Sequence, residues 1–259
     1  MRKTRKSLAV GLLVLLVSCA SSQKKLQQEN EKNPKYQYSL GAVHLNNNNP
    51  DEGIRYFSKA LALDARHYQS LNGLGLAYTI KGNLQEATKY FLKCLEIAPQ
   101  FSEARNNLGM IYQEQGFLDK AEEEWKKVIA SPDYANKELP YKNLAWLYCL
   151  RQDWETALSY ANSAIKSNNR YHVGYGVRGF ILDKLNRIPE AIESYERAVK
   201  ILPDDVNYRF SLGEAYFKNS DFVRALKIFE EISPLVTDPE MREKLNLYLK
   251  TIKEKKPPA

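Results

Sequence analysis

Cysteine is scarce. Three residues in 259, Cys19, Cys94 and Cys149, are too few and too scattered for a disulfide framework. Histidine is as rare, and His44, His67 and His172 show neither an HExxH nor a Cys/His ligand spacing. There is no phosphate-cradling Walker loop and no nucleophile elbow. The sequence therefore reads as non-enzymatic, with no catalytic residues, no metal, no cofactor and no small-molecule substrate. Twelve Gly and eleven Pro exclude collagen-like and low-complexity character. What is present is ordinary globular composition, 44% hydrophobic and 27% charged. Lys and Arg total 38 against 31 Asp and Glu, a formal charge of +7 that first suggests nucleic acid or an anionic membrane.

Much of that charge has another explanation. Arg2, Lys3, Arg5 and Lys6 precede an apolar stretch from Leu8 to Val17. At ten residues it is half the roughly 20 needed to cross a bilayer, so it reads as the core of an export signal. It ends in Leu16-Val17-Ser18-Cys19, which resembles a bacterial lipobox. The resemblance implies cleavage before Cys19 and a lipid on its thiol, the one covalent group expected. Residues 1–18 are then a signal peptide and 19–33 a polar tether. Loss of the four leading cations brings the charge from +7 to +3, and nucleic acid drops out as a partner. No Asp follows Cys19, so the expected location is the outer membrane, lipid-anchored on its periplasmic face, or the cell membrane in a host without an outer one.

The rest of the chain repeats. Gly41, Gly75, Gly109, Ala145, Gly179 and Gly213 recur at intervals of 34, 34, 36, 34 and 34, mostly in a Leu-Gly context. Twelve residues after each stands a small residue: Gly53, Ala87, Ala121, Ala157, Ala191 and Ala225. Four further on stands a large ring in five units: Phe57, Phe91, Trp125, Tyr195 and Phe229. This is the tetratricopeptide signature, a helix-turn-helix in each unit. The expected fold is an all-α tetratricopeptide (TPR) superhelical solenoid, one domain of six repeats at 34–67, 68–101, 102–135, 138–171, 172–205 and 206–239. A two-residue insert falls at Asn136-Lys137, and a capping helix and tail occupy 240–259. Asn49-Pro50 and Asn83 with Glu86 read as helix starts, and Pro189 as the first residue of its helix.

Other polar residues read as structural. His44 takes an aromatic packing slot, while His67 and His172, at repeat junctions, read as solvated. Cys94 and Cys149 read as packing residues too far apart to pair. Glu122-Glu123-Glu124 reads as a solvated helix face.

First helices line the groove of such arrays. Helical geometry turns Leu76, Met110, Trp146 and Phe180 toward it, with Ile80, Leu139, Leu150, Val173, Phe210 and Phe217 beside them. The pattern suggests an apolar channel for a hydrophobic peptide segment, deepest in repeats 4–6. Trp146 and Phe180 could equally fill the repeat interfaces as extra core. Asn72, Asn106, Asn107 and Asn143 form a possible amide ladder for an extended chain, or serve as caps and inter-repeat links.

A family resemblance rests on about forty residues. Asn106-Asn107-Leu108-Gly109, Ser131-Pro132-Asp133-Tyr134 and Leu139-Pro140-Tyr141-Lys142-Asn143-Leu144-Ala145, together with the lipobox, resemble the type IV pilus assembly lipoproteins, the pilotins of the PilF/PilW/Tgl group. Leu108 and Ser131 depart from that pattern. The resemblance implies a protein partner, a secretin subunit helped to the outer membrane and into its ring, held through the groove. The alternative is a general cell-envelope scaffold for peptidoglycan or outer-membrane assembly machinery.

Overall fold

The computed structural model describes residues 27 and 29–255, so the signal segment, the lipobox Leu16-Val17-Ser18 and Cys19 lie outside the described residues. Among the described residues the regular structure is all helical: α1 (Pro34–Asn46), α2 (Pro50–Leu63), α3 (Tyr68–Ile80), α4 (Leu84–Ile97), α5 (Ser102–Glu114), α6 (Leu118–Ala130), α7 (Glu138–Leu150), α8 (Trp154–Ser167), α9 (His172–Lys184), α10 (Ile188–Ile201), α11 (Val206–Lys218), α12 (Phe222–Ile232), a short 3-10 turn (Ser233–Leu235) and α13 (Pro239–Lys255). These are tetratricopeptide-type helix hairpins. The chain divides into two compact units, one ending at Phe117 and one beginning at Leu118.

In the first unit α1 pairs with α2 and α3 with α4, and α5 packs on α3 and α4. Each second helix drives a ring into the space left by glycines on first helices. An added Cβ on Gly41 or on Gly73 would lie 2.6 Å from the Phe57 ring, and one on Gly75 would lie 2.5 Å from Phe91. Both rings are fully buried. A side chain at these positions would force the helices apart, an overpacking cost of about 1–3 kcal/mol.

The second unit repeats the device. Tyr195 fills the space over Gly179 and Phe229 the space over Gly213. Ahead of them in the chain, α7 and α8 change both partners: Ala145 stands where the others have Gly, and Ala161, fully buried, where they have a ring. Tyr148 and Tyr141, whose centroids lie 5.4 Å and 6.4 Å from that of Tyr160, supply aromatic packing in this hairpin. α13 closes the unit by burying Leu245 and Ile252 and laying the Tyr248 ring parallel to Phe229 at 5.2 Å.

The turn inside each hairpin has a shared backbone requirement. Asn48, Gly82, Gly116, Gln152, Asn186 and Ser220 occupy the same place in successive repeats, and all six have positive φ, between 55° and 83°. Only two are glycine, so four L side chains are held in the left-handed region. Caps follow the turn: the side chains of Asn83, Asp153 and Asp221 accept from the backbone N–H three residues on. Asn49 makes no such bond, although Pro50 follows it as the first helical residue. Pro189 is second in its helix, since Ile188 already has helical geometry.

Two polar expectations need correction. His67 is buried: its Nδ1 lies 2.9 Å from Ser70 Oγ, its ring packs on Tyr38, and burial holds its pKa below the usual histidine value. Glu122 is half-buried and couples α6 to α7, accepting from Tyr148 Oη at 2.7 Å and from the Arg151 guanidinium. Burial pushes its carboxyl up, but hydrogen bonds from Lys126, Tyr148 and Arg151 outweigh that and hold it at about 2. Glu124 is also half-buried and pairs with Lys127, which leaves Glu123 as the exposed member of the run.

Two predictions follow from the turn and the carboxylate. Gly82→Ala lowers stability by about 1 kcal/mol and Tm by about 2–4 °C, while Ser220→Gly leaves Tm unchanged or higher. Equal losses in both variants would show that backbone conformation is not what the turn selects. Glu122 has a depressed pKa, so its stabilising contribution is complete above the unfolded value and disappears as pH falls toward about 2. Denaturant midpoints measured from pH 5 to 2 are therefore steeper in pH for the wild type than for Glu122→Gln.

Candidate functional site

The first helices present the exposed apolar side chains expected of a binding face. In the first unit, Asn72, Leu76 and Ile80 follow one another at four-residue spacing down α3. Ile80 is 49% exposed and Leu76 half-buried, and Met110 on α5 is 47% exposed. Asn107 Nδ2 donates to Asn72 Oδ1 at 3.3 Å, so these two amides are joined to each other across α3 and α5. Asn106 is buried. The ladder in this unit is thus one linked, half-buried pair.

In the second unit the face is richer. Trp146 and Leu150 stand one turn apart on α7 and are 36% and 59% exposed. Phe180, half-buried on α9, sits beside Trp146 with ring centroids 5.2 Å apart, and Trp154 meets it edge-on at 6.3 Å. Together with Val173, Gly176, Tyr208 and Ser211, the Trp146 and Phe180 side chains line a cavity of about 220 Å³. The two sequence alternatives are both partly realised, because Trp146 and Phe180 pack on one another and still keep open surface. The cavity is below the range of about 300–1,000 Å³ typical of drug-sized sites, and its size suits one or two side chains of a bound segment.

Tyr208 and Gly176 escaped the sequence reading. The Tyr208 ring lies where a Gly176 side chain would be, 2.5 Å from an added Cβ, and its hydroxyl meets His172 Nδ1 at 3.0 Å. The signal was an absence: Gly176 replaces the larger groove residues found at that place in other repeats, and the missing side chain admits a ring from the next helix. His172 is thereby a partner of Tyr208 rather than a solvated junction residue.

Phe210 and Phe217 are corrections in the opposite direction. Phe210 is buried against Phe229 and Tyr248, and Phe217 packs on Phe222 and Tyr248, so the capping helix takes the surface they were expected to offer. Asn143 is buried as well. The face is bordered by polar groups. Lys184 Nζ lies 5.4 Å from the Phe180 ring, and burial holds the Lys142 ammonium below its usual pKa. At the far end Glu214 accepts from Tyr248 Oη at 3.0 Å, and burial pushes its carboxyl up.

The chemistry available here is that of contact. Cys94 and Cys149 are buried free thiols, pushed up by burial to about 12 and about 11, far from the range of a nucleophilic cysteine. His44 stacks on Tyr56 at 5.2 Å. Among the described residues no group of His, Cys, Asp and Glu is arranged to hold a metal, and no helix is long and apolar enough to cross a membrane.

Comparison with known proteins agrees with this architecture. Tetratricopeptide-repeat profiles match residues 38–102, 90–123 and 181–220. No curated protein matches the chain in sequence. Among solved structures, PilF of Pseudomonas aeruginosa superposes with a TM-score of 0.75 at 14% identity, covering 85% of this chain and 99% of PilF. PilW, described as a widely conserved type IV pilus biogenesis factor, gives 0.75 at 11% identity, covering 82% of this chain and 98% of PilW. YrrB, a TPR protein with an unusual peptide-binding site, gives 0.56 at 15% identity over 74% of this chain and 97% of its own. At these identities the likeness is one of fold. The chain has the architecture of a tetratricopeptide-repeat protein.

Proposed function

We propose that this chain is a pilotin-like assembly factor of a type IV pilus. It is held by a lipid on Cys19 at the periplasmic face of the outer membrane, and it binds a secretin subunit through its first-helix faces. The observation that carries the reading is the pairing of two independent features. One is the correspondence to PilF and PilW over nearly the whole of both proteins, one a named type IV pilus biogenesis factor. The other is the lipobox-like Leu16-Val17-Ser18-Cys19 with its basic leader. No cofactor beyond the lipid is required. The Pro132-Asp133-Tyr134 and Pro140 to Ala145 motif supports the reading as a packing element, since Tyr134, Pro140, Asn143 and Ala145 are all buried.

Binding would use Trp146 and Phe180 as anchors. Paired aromatics around a small cavity are the usual place for contacts worth about 2 kcal/mol or more. Lys142, one turn before Trp146 on α7, would meet a carbonyl or carboxylate group of the bound segment.

Two experiments test this. Affinity purification from detergent extracts recovers secretin with the wild-type protein, and recovery falls at least tenfold with Trp146→Ala/Phe180→Ala while circular dichroism and Tm show a folded chain. Secretin rings that form normally without the protein, or peptidoglycan enzymes recovered in place of secretin, would replace the pilotin reading with that of a general envelope scaffold. Separately, Cys19→Ala moves the protein from the membrane to the soluble fraction and abolishes incorporation of labelled palmitate. Continued membrane attachment of that variant would end the lipid-anchor claim.

A further inference from the structure

The second unit carries a basic cavity away from the apolar one. About 240 Å³ in volume, it is lined by Asn169, Arg170, Tyr175, Arg197, Lys200 and Ile201. Its three cations come from two places. Arg170 lies on the loop between α8 and α9, and Arg197 and Lys200 are three residues apart near the end of α10, on one helix face. Among the described residues none of the three forms an ion pair, whereas Arg151, Arg187, Arg209, Lys218 and Arg224 of the same unit are all paired with carboxylates.

The loop holding Arg170 is fixed. Asn168 Oδ1 accepts from the Arg170 backbone N–H at 3.1 Å, Asn168 Nδ2 donates to Glu138 at 3.2 Å, and Tyr175 Oη donates to the Asn169 carbonyl at 3.3 Å. Three positive groups are thus set around one cavity whose lining includes no carboxylate. The carbonyl ends of α8 and α10 offset part of their repulsion, a modest and solvent-screened effect. A recess lined by charge of one sign concentrates counter-ions, and two guanidiniums present the planar donor geometry that suits phosphate oxygens. The cavity is too small for a nucleotide-sized ligand and large enough for a single phosphate group.

We infer that the cavity formed by Arg170, Arg197, Lys200 and Tyr175 is a binding site for one phosphate group, supplied either by an anionic phospholipid head or by phosphate free in solution. The two guanidiniums and the Lys200 ammonium neutralise the phosphate oxygens, and Asn169 offers a side-chain amide at the edge.

The test uses the full chain with Cys19→Ala, so that an acyl anchor does not dominate vesicle binding. Inorganic phosphate is titrated in by calorimetry at low salt. Vesicles of phosphatidylglycerol in phosphatidylcholine are compared with phosphatidylcholine alone by co-sedimentation. Measurable binding of phosphate or preference for the anionic vesicles supports the site. Stronger vesicle binding assigns the source as a lipid head, and phosphate binding with no vesicle preference assigns free phosphate. Arg170→Ala/Arg197→Ala/Lys200→Ala weakens the interaction about a hundredfold, at roughly fivefold per cation near an anionic group, while Lys227→Ala/Lys253→Ala leaves it within about twofold. Two results overturn the site: no binding to either probe, or equal weakening by the two sets of substitutions. Because the readout contains no secretin, its failure leaves the pilotin reading untouched.

Discussion

The structure depends on rings inserted where first helices have no side chain. Phe57 touches the positions of two glycines, Gly41 in its own hairpin and Gly73 in the next, so one side chain sets both the spacing within a hairpin and the stacking of the following one. Phe91, Tyr195 and Phe229 set the spacing within their own hairpins against Gly75, Gly179 and Gly213. Once that contact fixes the rotation of each first helix, the outward direction of every other residue on it follows at 100° per residue. Trp146 and Phe180, 34 positions apart, are neighbours even though the hairpin of Trp146 has Ala145 and Ala161 in place of the glycine and the ring.

The same contact explains how much was legible. Glycine, alanine and ring positions recur because close helix approach requires them, so the all-helical tetratricopeptide fold could be read from spacing alone, and Ile80, Met110, Trp146 and Leu150 do carry exposed surface. Spacing could not show what a neighbouring element would cover. Phe210 and Phe217 occupy groove positions by count, but α13 brings Tyr248 onto both. Nor could it show what an absent side chain admits, as with Tyr208 over Gly176. His67 and Glu122 were misread for a related reason: their burial comes from partners outside their own helical turn, Tyr38 for one and Tyr148 and Arg151 for the other.

Polar links and apolar face divide the labour along the helices. On the second helices, carboxylates such as Glu122 and Glu196 reach the hydroxyls of Tyr148 and Tyr216 on the following first helices. These contacts hold hairpin to hairpin, while Leu150 on α7 is left 59% exposed. The division is partial: Trp146 and Phe180 pack on one another and so contribute to the stack as well as to the open face.

The buried thiols have a practical consequence. With Cys94 and Cys149 shielded and pushed to about 12 and about 11, almost no thiolate exists at neutral pH to meet an alkylating reagent. In a chain lacking Cys19, a cysteine placed at an open position such as Leu150 becomes the single reactive handle, with no need to replace the native pair. Fluorophores or spin labels can then report from the face itself, inside a core whose packing has not been altered to install them.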